Sequence, residues 1–251
     1  MESAKQRPRA AHFLLAAALV ASLAGCVSAA DPDPLRDFDP PEVPSNYAPP
    51  EAYFKFDLLH AANAAQGPGG NNTRATSANF PALRSQGISY TLFNMRPCGQ
   101  NLPHTHPRAT EILYVISGGP VLVGFVDTNQ TAHLNMLREG EMTVFPRGML
   151  HFIQSFATTN VTSISALNSQ NPGVIIQSRA LFDLPSEVVA TTFSLPQDQI
   201  RAVNGTLPVS QALALGTSNE GCVSGVLPPE LTYLDVPAPK GEQNVPAPGA
   251  R

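Results

Sequence analysis

The stretch "PHTHPRATE", residues 103–111, decides how this chain is read. It sets His104 and His106 two residues apart between Pro103 and Pro107, with Glu111 five residues further on, in a chain that has only 6 histidines. Residues i and i+2 of an extended segment project to the same side. A residue that precedes proline is pushed toward β or polyproline geometry, so the two prolines favour extension and turn both imidazoles one way. Alone, such a pair is matched by two exposed surface histidines. Glu111 alters that reading, because it opens the apolar run "EILYVIS" (111–117), where a carboxylate facing a core needs a partner. A fourth candidate is His151, at the end of "PRGMLH" (146–151), where Pro146, Gly148 and the preceding Gly140 shape a hairpin that delivers it to a strand start. Three imidazoles and one carboxylate in a dry barrel suit a first-row metal ion with open positions. Such ligands accept manganese, iron or another divalent ion of that row, although affinity order alone favours copper or zinc over manganese. His12, His60 and His133 have no ligand spacing and read as surface or hydrogen-bonded histidines.

Around this stretch, short apolar or alternating runs recur every eight to twelve positions between turn residues. They are 88–95, 111–117, 121–127, 133–137, 141–146, 151–157, 161–168 and 173–181. The pattern predicts an all-β antiparallel sandwich or barrel. Two helices are expected after it. In 185–193, Pro185 or Ser186 opens a helix with Glu187 in its first turn. In 194–205, Ser194 caps, Pro196 sits in the first turn and Gly205 ends the helix. Residues 53–65 read as an ordered segment that stops at a loop, "QGPGGNNT" (66–73).

The ends differ from the middle. Lys5, Arg7 and Arg9 precede the apolar run 13–25, and Val27-Ser28-Ala29 offers small residues for cleavage, so residues 1–29 read as a secretory signal. The run is too short and too rich in alanine for a membrane span. A second reading of "LAGC" (23–26) is a lipobox whose cysteine is lipidated. Residues 30–51 form a proline-rich arm, 52–218 the folded domain with its helices, and 219–251 a proline-rich tail expected to be mostly disordered beyond about residue 235. A formal charge of -4 and the lack of a basic block after the first nine residues exclude nucleic acid as a partner class. Beyond the signal two cysteines remain, Cys98 and Cys222, which either bridge in an oxidising compartment or stay as free thiols. Sequons at Asn71, Asn129, Asn160 and Asn204 agree with secretion.

The two histidine segments resemble the paired motifs of cupins, and specifically of germin-like proteins. The first reads Gly99-x4-His104-x-His106-x4-Glu111-x6-Gly118, and the second Gly140-x5-Pro146-x-Gly148-x2-His151. "PHTHPRATE", "NSQNPG" (168–173) and "DPDPLRDF" (31–38) look germin-like almost letter for letter, and the resemblance runs from about residue 31 to 205. It implies a cupin jelly-roll β-barrel with C-terminal α-helices, and His104, His106, Glu111 and His151 as ligands of a manganese ion. It also implies secretion to the apoplast or cell wall and a homo-oligomer built as a trimer of dimers. Departures mark this chain. Asp39 stands where the first of two N-terminal cysteines is expected, Cys98 where glycine is usual, and Ser155 where the second motif ends in asparagine. Oxalate-oxidising relatives hold substrate with amides at three places; Asn101 matches one, while Thr91 and Ile153 replace the other two. Superoxide as substrate asks less of the pocket, so a dismutase-type activity is the expectation. A non-enzymatic wall, receptor-like or storage role is the alternative, and oxalate oxidation fits less well.

Overall fold

The computed structural model describes residues 51–61, 64–207, 214–215 and 222–234. The expected signal over 1–29, most of the proline-rich arm and the tail beyond residue 235 lie outside the described residues.

Two antiparallel sheets face each other. The first runs β1 (Ala65–Gly67), β2 (Gly70–Ala75), β3 (Ser89–Met95), β10 (Val161–Leu167), β5 (Glu111–Ser117) and β8 (Met142–Phe145). The second runs β11 (Ile175–Ile176), β4 (Gly99–Thr105), β9 (Leu150–Ser155), β6 (Val121–Val126) and β7 (Ala132–Leu137), with β12 (Ala214–Leu215) also paired to β4. Strands distant in sequence lie side by side, β3 against β10 and β4 against β9, which makes the all-β fold a jelly roll rather than a meander. Alternation explains the packing. Along β10, Val161, Ser163, Ser165 and Leu167 are buried, while the residues between them are half-buried. The inner faces meet in a core that includes Met95, Leu113, Val115, Val123, Phe145 and Ile153. Full burial of such a side chain contributes about 1.5–3 kcal/mol.

The outer face of the second sheet is covered by the chain's own C-terminal segment. Leu227, Leu231 and Leu234 pack with Cys222 against Leu122, Met136 and Phe156. Cys222 forms a disulfide with Cys98, their Cα atoms 5.8 Å apart. Cys98 has φ 57, the left-handed region that favours glycine, which accounts for the glycine usual at this place. Among the described residues, three α-helices follow the barrel: α1 (Gln177–Phe182), α2 (Ser186–Phe193) and α3 (Gln197–Thr206). The rings of Phe182 and Phe193 stack at 5.9 Å between α1 and α2.

Three expectations are corrected. "QGPGGNNT" is not a loop but a hairpin: β1 and β2 pair Gln66 with Asn71 and Gly67 with Gly70, and β2 goes on to pair with β3. Its composition reads as a loop, yet β2 pairs with β3 along its whole length and with β1 at Gly70, Asn71 and Asn72. The run 173–181 is not one strand. Only Ile175 and Ile176 pair with β4, and the chain turns helical at Gln177, where good helix formers begin. Ser194 does not cap α3. It ends α2 with φ 55, Pro196 takes the N-cap position of α3, and Gly205 lies inside a helix that runs to Thr206.

Candidate metal centre

The site lies on the seam between the sheets. His104 on β4 is the register partner of His151 on β9, and His106 follows directly after β4. Glu111 opens β5 in the opposite sheet, paired there with Phe145 and Leu167. Three imidazoles thus approach from one sheet and one carboxylate from the other. Their ligand atoms all lie within 4.8 Å of one another. All four residues are buried, from 1% exposed at His151 to 8% at His106.

Each imidazole is fixed by a backbone carbonyl. The Nδ1 atoms of His104, His106 and His151 donate to the carbonyl oxygens of Leu102, Gly173 and Met149. A carbonyl only accepts, so Nδ1 of each ring carries a proton and Nε2 turns inward. Nε2 of His106 lies 3.1 Å and Nε2 of His151 3.2 Å from the same Glu111 oxygen, Oε2. Contacts that close call for a proton or a cation between nitrogen and oxygen. A cation is what three nitrogen donors and one carboxylate suit. Glu111 Oε1 accepts from the Ser165 hydroxyl, which holds the carboxylate in its plane. Phe145 stacks on His151 at 4.5 Å.

The loop 168–173 secures the arrangement. The amide of Thr110 donates to Asn168, and the Arg108 guanidinium donates to the backbone and side-chain oxygens of Asn171. Gly173 has φ 67, and a Cβ there would lie 2.8 Å from Arg108 Nη2. The left-handed backbone that favours glycine here carries the carbonyl that grips His106. Across the site, the Gly148 amide of the β8–β9 turn donates to the His106 carbonyl at 3.0 Å.

Burial, reinforced by repulsion from His151, pushes His104 down to about 3. Burial alone would raise the Glu111 carboxyl, but the hydrogen bonds and charges of His106 and His151 outweigh it and hold Glu111 below the usual carboxylate range. Both shifts act in one direction. Between pH 6.5 and 3 the unfolded chain protonates His104 while the folded protein does not. Below about 4.5 the same holds for Glu111. The metal-free protein is therefore expected to lose stability on acidification from pH 6.5, with His104 contributing up to about 1.4 kcal/mol per pH unit. Urea melts of the metal-free chain at pH 7, 6 and 5 check this, and a flat profile contradicts it.

Beside the four candidate ligands, Asn72, Arg74, Thr91, Phe93, Asn101 and Val174 line a small chamber. It adjoins a wider cleft of about 460 Å³, and Arg74, Thr91, His106 and Val174 border both. Asn101 and Thr91 thus lie at the chamber, whereas Ile153 is fully buried in the hydrophobic core. His60 and His133 stand apart, bonded to Asp57 and Asp127. Ser165, Asn72 and Arg74 were missed by sequence reasoning; only strand register brings them to the site. Of the sequon asparagines, Asn129, Asn160 and Asn204 are exposed, and Asn71 is half-buried, accepting from the Asn94 amide.

A jelly roll whose ligand strands hold three histidines and one glutamate in this order has the form of a cupin. The family model described as "Cupin" matches residues 56–201. Germin-like protein subfamily 1 member 7 of Arabidopsis thaliana is 37% identical over 76% of this chain and 92% of its own length. Germin-like protein 8-9 of Oryza sativa subsp. japonica is 36% identical over 75% of this chain and 92% of its own length. Among solved structures, recombinant oxalate oxidase in complex with glycolate superposes with a TM-score of 0.58 at 28% identity, covering 70% of this chain and 96% of that one. The chain belongs to the cupin family and, within it, to the germin-like proteins. No helix among the described residues is long and apolar enough to cross a membrane.

Proposed function

We propose that this is a secreted germin-like protein in which His104, His106, Glu111 and His151 hold a manganese ion that dismutes superoxide. The observation that carries this reading over oxalate oxidation is the state of the two non-matching positions. Ile153 is sealed in the core and offers no donor, and Thr91 presents a hydroxyl where an amide would clamp a substrate oxygen. A diatomic anion needs neither. When bound, the ion supplies the one-electron couple and an open coordination position. Glu111 offsets part of its charge, Ser165 fixes that carboxylate, and the three carbonyls keep every Nε2 lone pair turned inward.

The near-complete burial of the four ligands also supports a second reading, a wall, receptor-like or storage protein whose ion is structural. A homo-oligomer of the trimer-of-dimers kind is part of the proposal. It is supported by an apolar outer face on the first sheet, where Ile112, Ile116, Met142 and Val144 are 43–61% exposed. N-linked glycans at Asn71, Asn129, Asn160 and Asn204 are part of the same proposal, and the exposure of the last three supports it.

The test uses purified, manganese-loaded protein whose mass is measured by light scattering. Superoxide is expected to disappear, with no peroxide produced from oxalate, in particles heavier than a single chain. Peroxide from oxalate would overturn the dismutase reading. Inactivity toward both substrates with the ion fully bound would favour the structural role.

A further inference from the structure

Arg74 is the only arginine or lysine among the described residues lining the chamber or the cleft. It lies on β2 opposite Thr91 of β3, which in turn lies opposite Ser165 of β10. Residues directly paired across antiparallel strands share a face, and the Ser165 hydroxyl bonds Glu111. Arg74 is therefore on the inner face, in the row that leads to Ser165, whose hydroxyl reaches the Glu111 carboxylate. Two strand spacings put its Cα about 10 Å from that of Ser165. The backbone of Arg74 is thus set two strands away from Ser165, with Thr91 between them.

The polar groups around it are consistent with a polar occupant. Asn72, two residues along the same face of β2 and 4% exposed, keeps its carbonyl oxygen without a protein partner at the chamber wall. The Ser89 hydroxyl, in a residue 1% exposed, is likewise without one at the cleft wall. Buried polar atoms without partners are costly; the Ser89 hydroxyl can donate to an anionic occupant, whereas the Asn72 carbonyl oxygen accepts and is expected to meet water. Apart from the cluster's own Glu111, no carboxylate borders either space among the described residues, so no fixed anion opposes an anionic occupant.

We propose that Arg74 forms a second anion subsite beside the metal centre, and that the site takes a small dicarboxylate longer than oxalate, such as succinate. This rests on the metal reading above. One carboxylate lies at the cluster of His104, His106, Glu111 and His151, and the other meets the Arg74 guanidinium, whose planar fork and five donors match a carboxylate bidentately. In oxalate the two carboxylates are adjacent and crowd one point. A diacid with intervening carbons can satisfy two points a strand apart.

Calorimetric titration of the manganese-loaded full chain with succinate and with acetate tests this. The wild type is expected to bind succinate at least about tenfold more tightly than acetate. Arg74→Met should weaken succinate by about 10- to 100-fold while leaving acetate within about twofold. Arg74→Lys, which keeps the charge without the fork, should fall between. Metal content and thermal melting are measured on each sample, so a misfolded variant is recognised. Equal weakening of both acids, or of neither, with the metal retained would overturn the proposal. If the wild type loads no metal, the metal reading fails by itself. The subsite is then judged on metal-free protein, where it stands only if Arg74→Met still weakens succinate.

Discussion

Replacing His106 by alanine is expected to strip the purified protein of its ion, whereas His133→Ala leaves it loaded. His106 supplies one inward lone pair, fixed by the Gly173 carbonyl, and is 8% exposed. His133 is held by Asp127 at 2.9 Å on the surface, stacked on Phe125, and contributes nothing to the cluster. Elemental analysis should give about one ion per chain for wild type and His133→Ala, and less than about a tenth of that for His106→Ala, since removing a ligand does more than the 10- to 100-fold loss typical of its supporting partners. Melting separates a lost ion from a lost fold. An ion bound only by the folded state and present at a hundred times its dissociation constant adds about 2.7 kcal/mol. His106→Ala should therefore melt like metal-free wild type and no longer respond to added manganese. Equal metal in both variants would remove the ligand assignment.

The second large effect concerns the bridge between Cys98 and Cys222. It closes a span of 124 residues. In the chain-entropy account a loop of that order restricts the unfolded state by about 4.7 kcal/mol, within a usual range of about 2–5 kcal/mol. Cys98→Ala with Cys222→Ala should lower unfolding free energy by about that amount. Cys98→Gly with Cys222→Ala should recover about 1 kcal/mol of the loss, because position 98 has a positive φ that glycine adopts without the Cβ penalty. Urea unfolding of both double variants in non-reducing buffer measures the difference. Identical stability of the two would show that the left-handed backbone at 98 is not the cost inferred here. Stability equal to wild type in both would show that the bridge contributes nothing.

Much of the barrel was legible because its strands obey local rules. The runs beginning at Glu111, Val121 and Val161 alternate or stay apolar between turn residues, and β5, β6 and β10 begin where those runs begin. The four candidate ligands were legible for another reason: prolines, glycines and spacing record the extended ligand strand and the turn before β9 in the sequence itself. The kinship of "PHTHPRATE" and "NSQNPG" acquires a physical cause in the structure, since Arg108 and Thr110 of one are hydrogen-bonded to Asn171 and Asn168 of the other. What stayed hidden depends on partners far along the chain. Ser165 has no local signal, and only the pairing of β10 with β5 brings it to Glu111. Arg74 follows "QGPGGNNT", which reads as a loop, while the strand that carries Arg74 is set by its register with β3. Ser194 fits a helix cap by composition, and only its left-handed backbone shows which helix it ends.

The candidate ligand set is split between the sheets, with Glu111 alone on one side of the seam and three imidazoles on the other. An ion held by all four would act as a rivet through the two halves of the barrel. Separating the halves and surrendering the ion then become one event seen from two directions. Metal exchange and amide-hydrogen exchange in β5 should share a rate, so the lifetime of the bound ion would serve as a clock for the breathing of the fold.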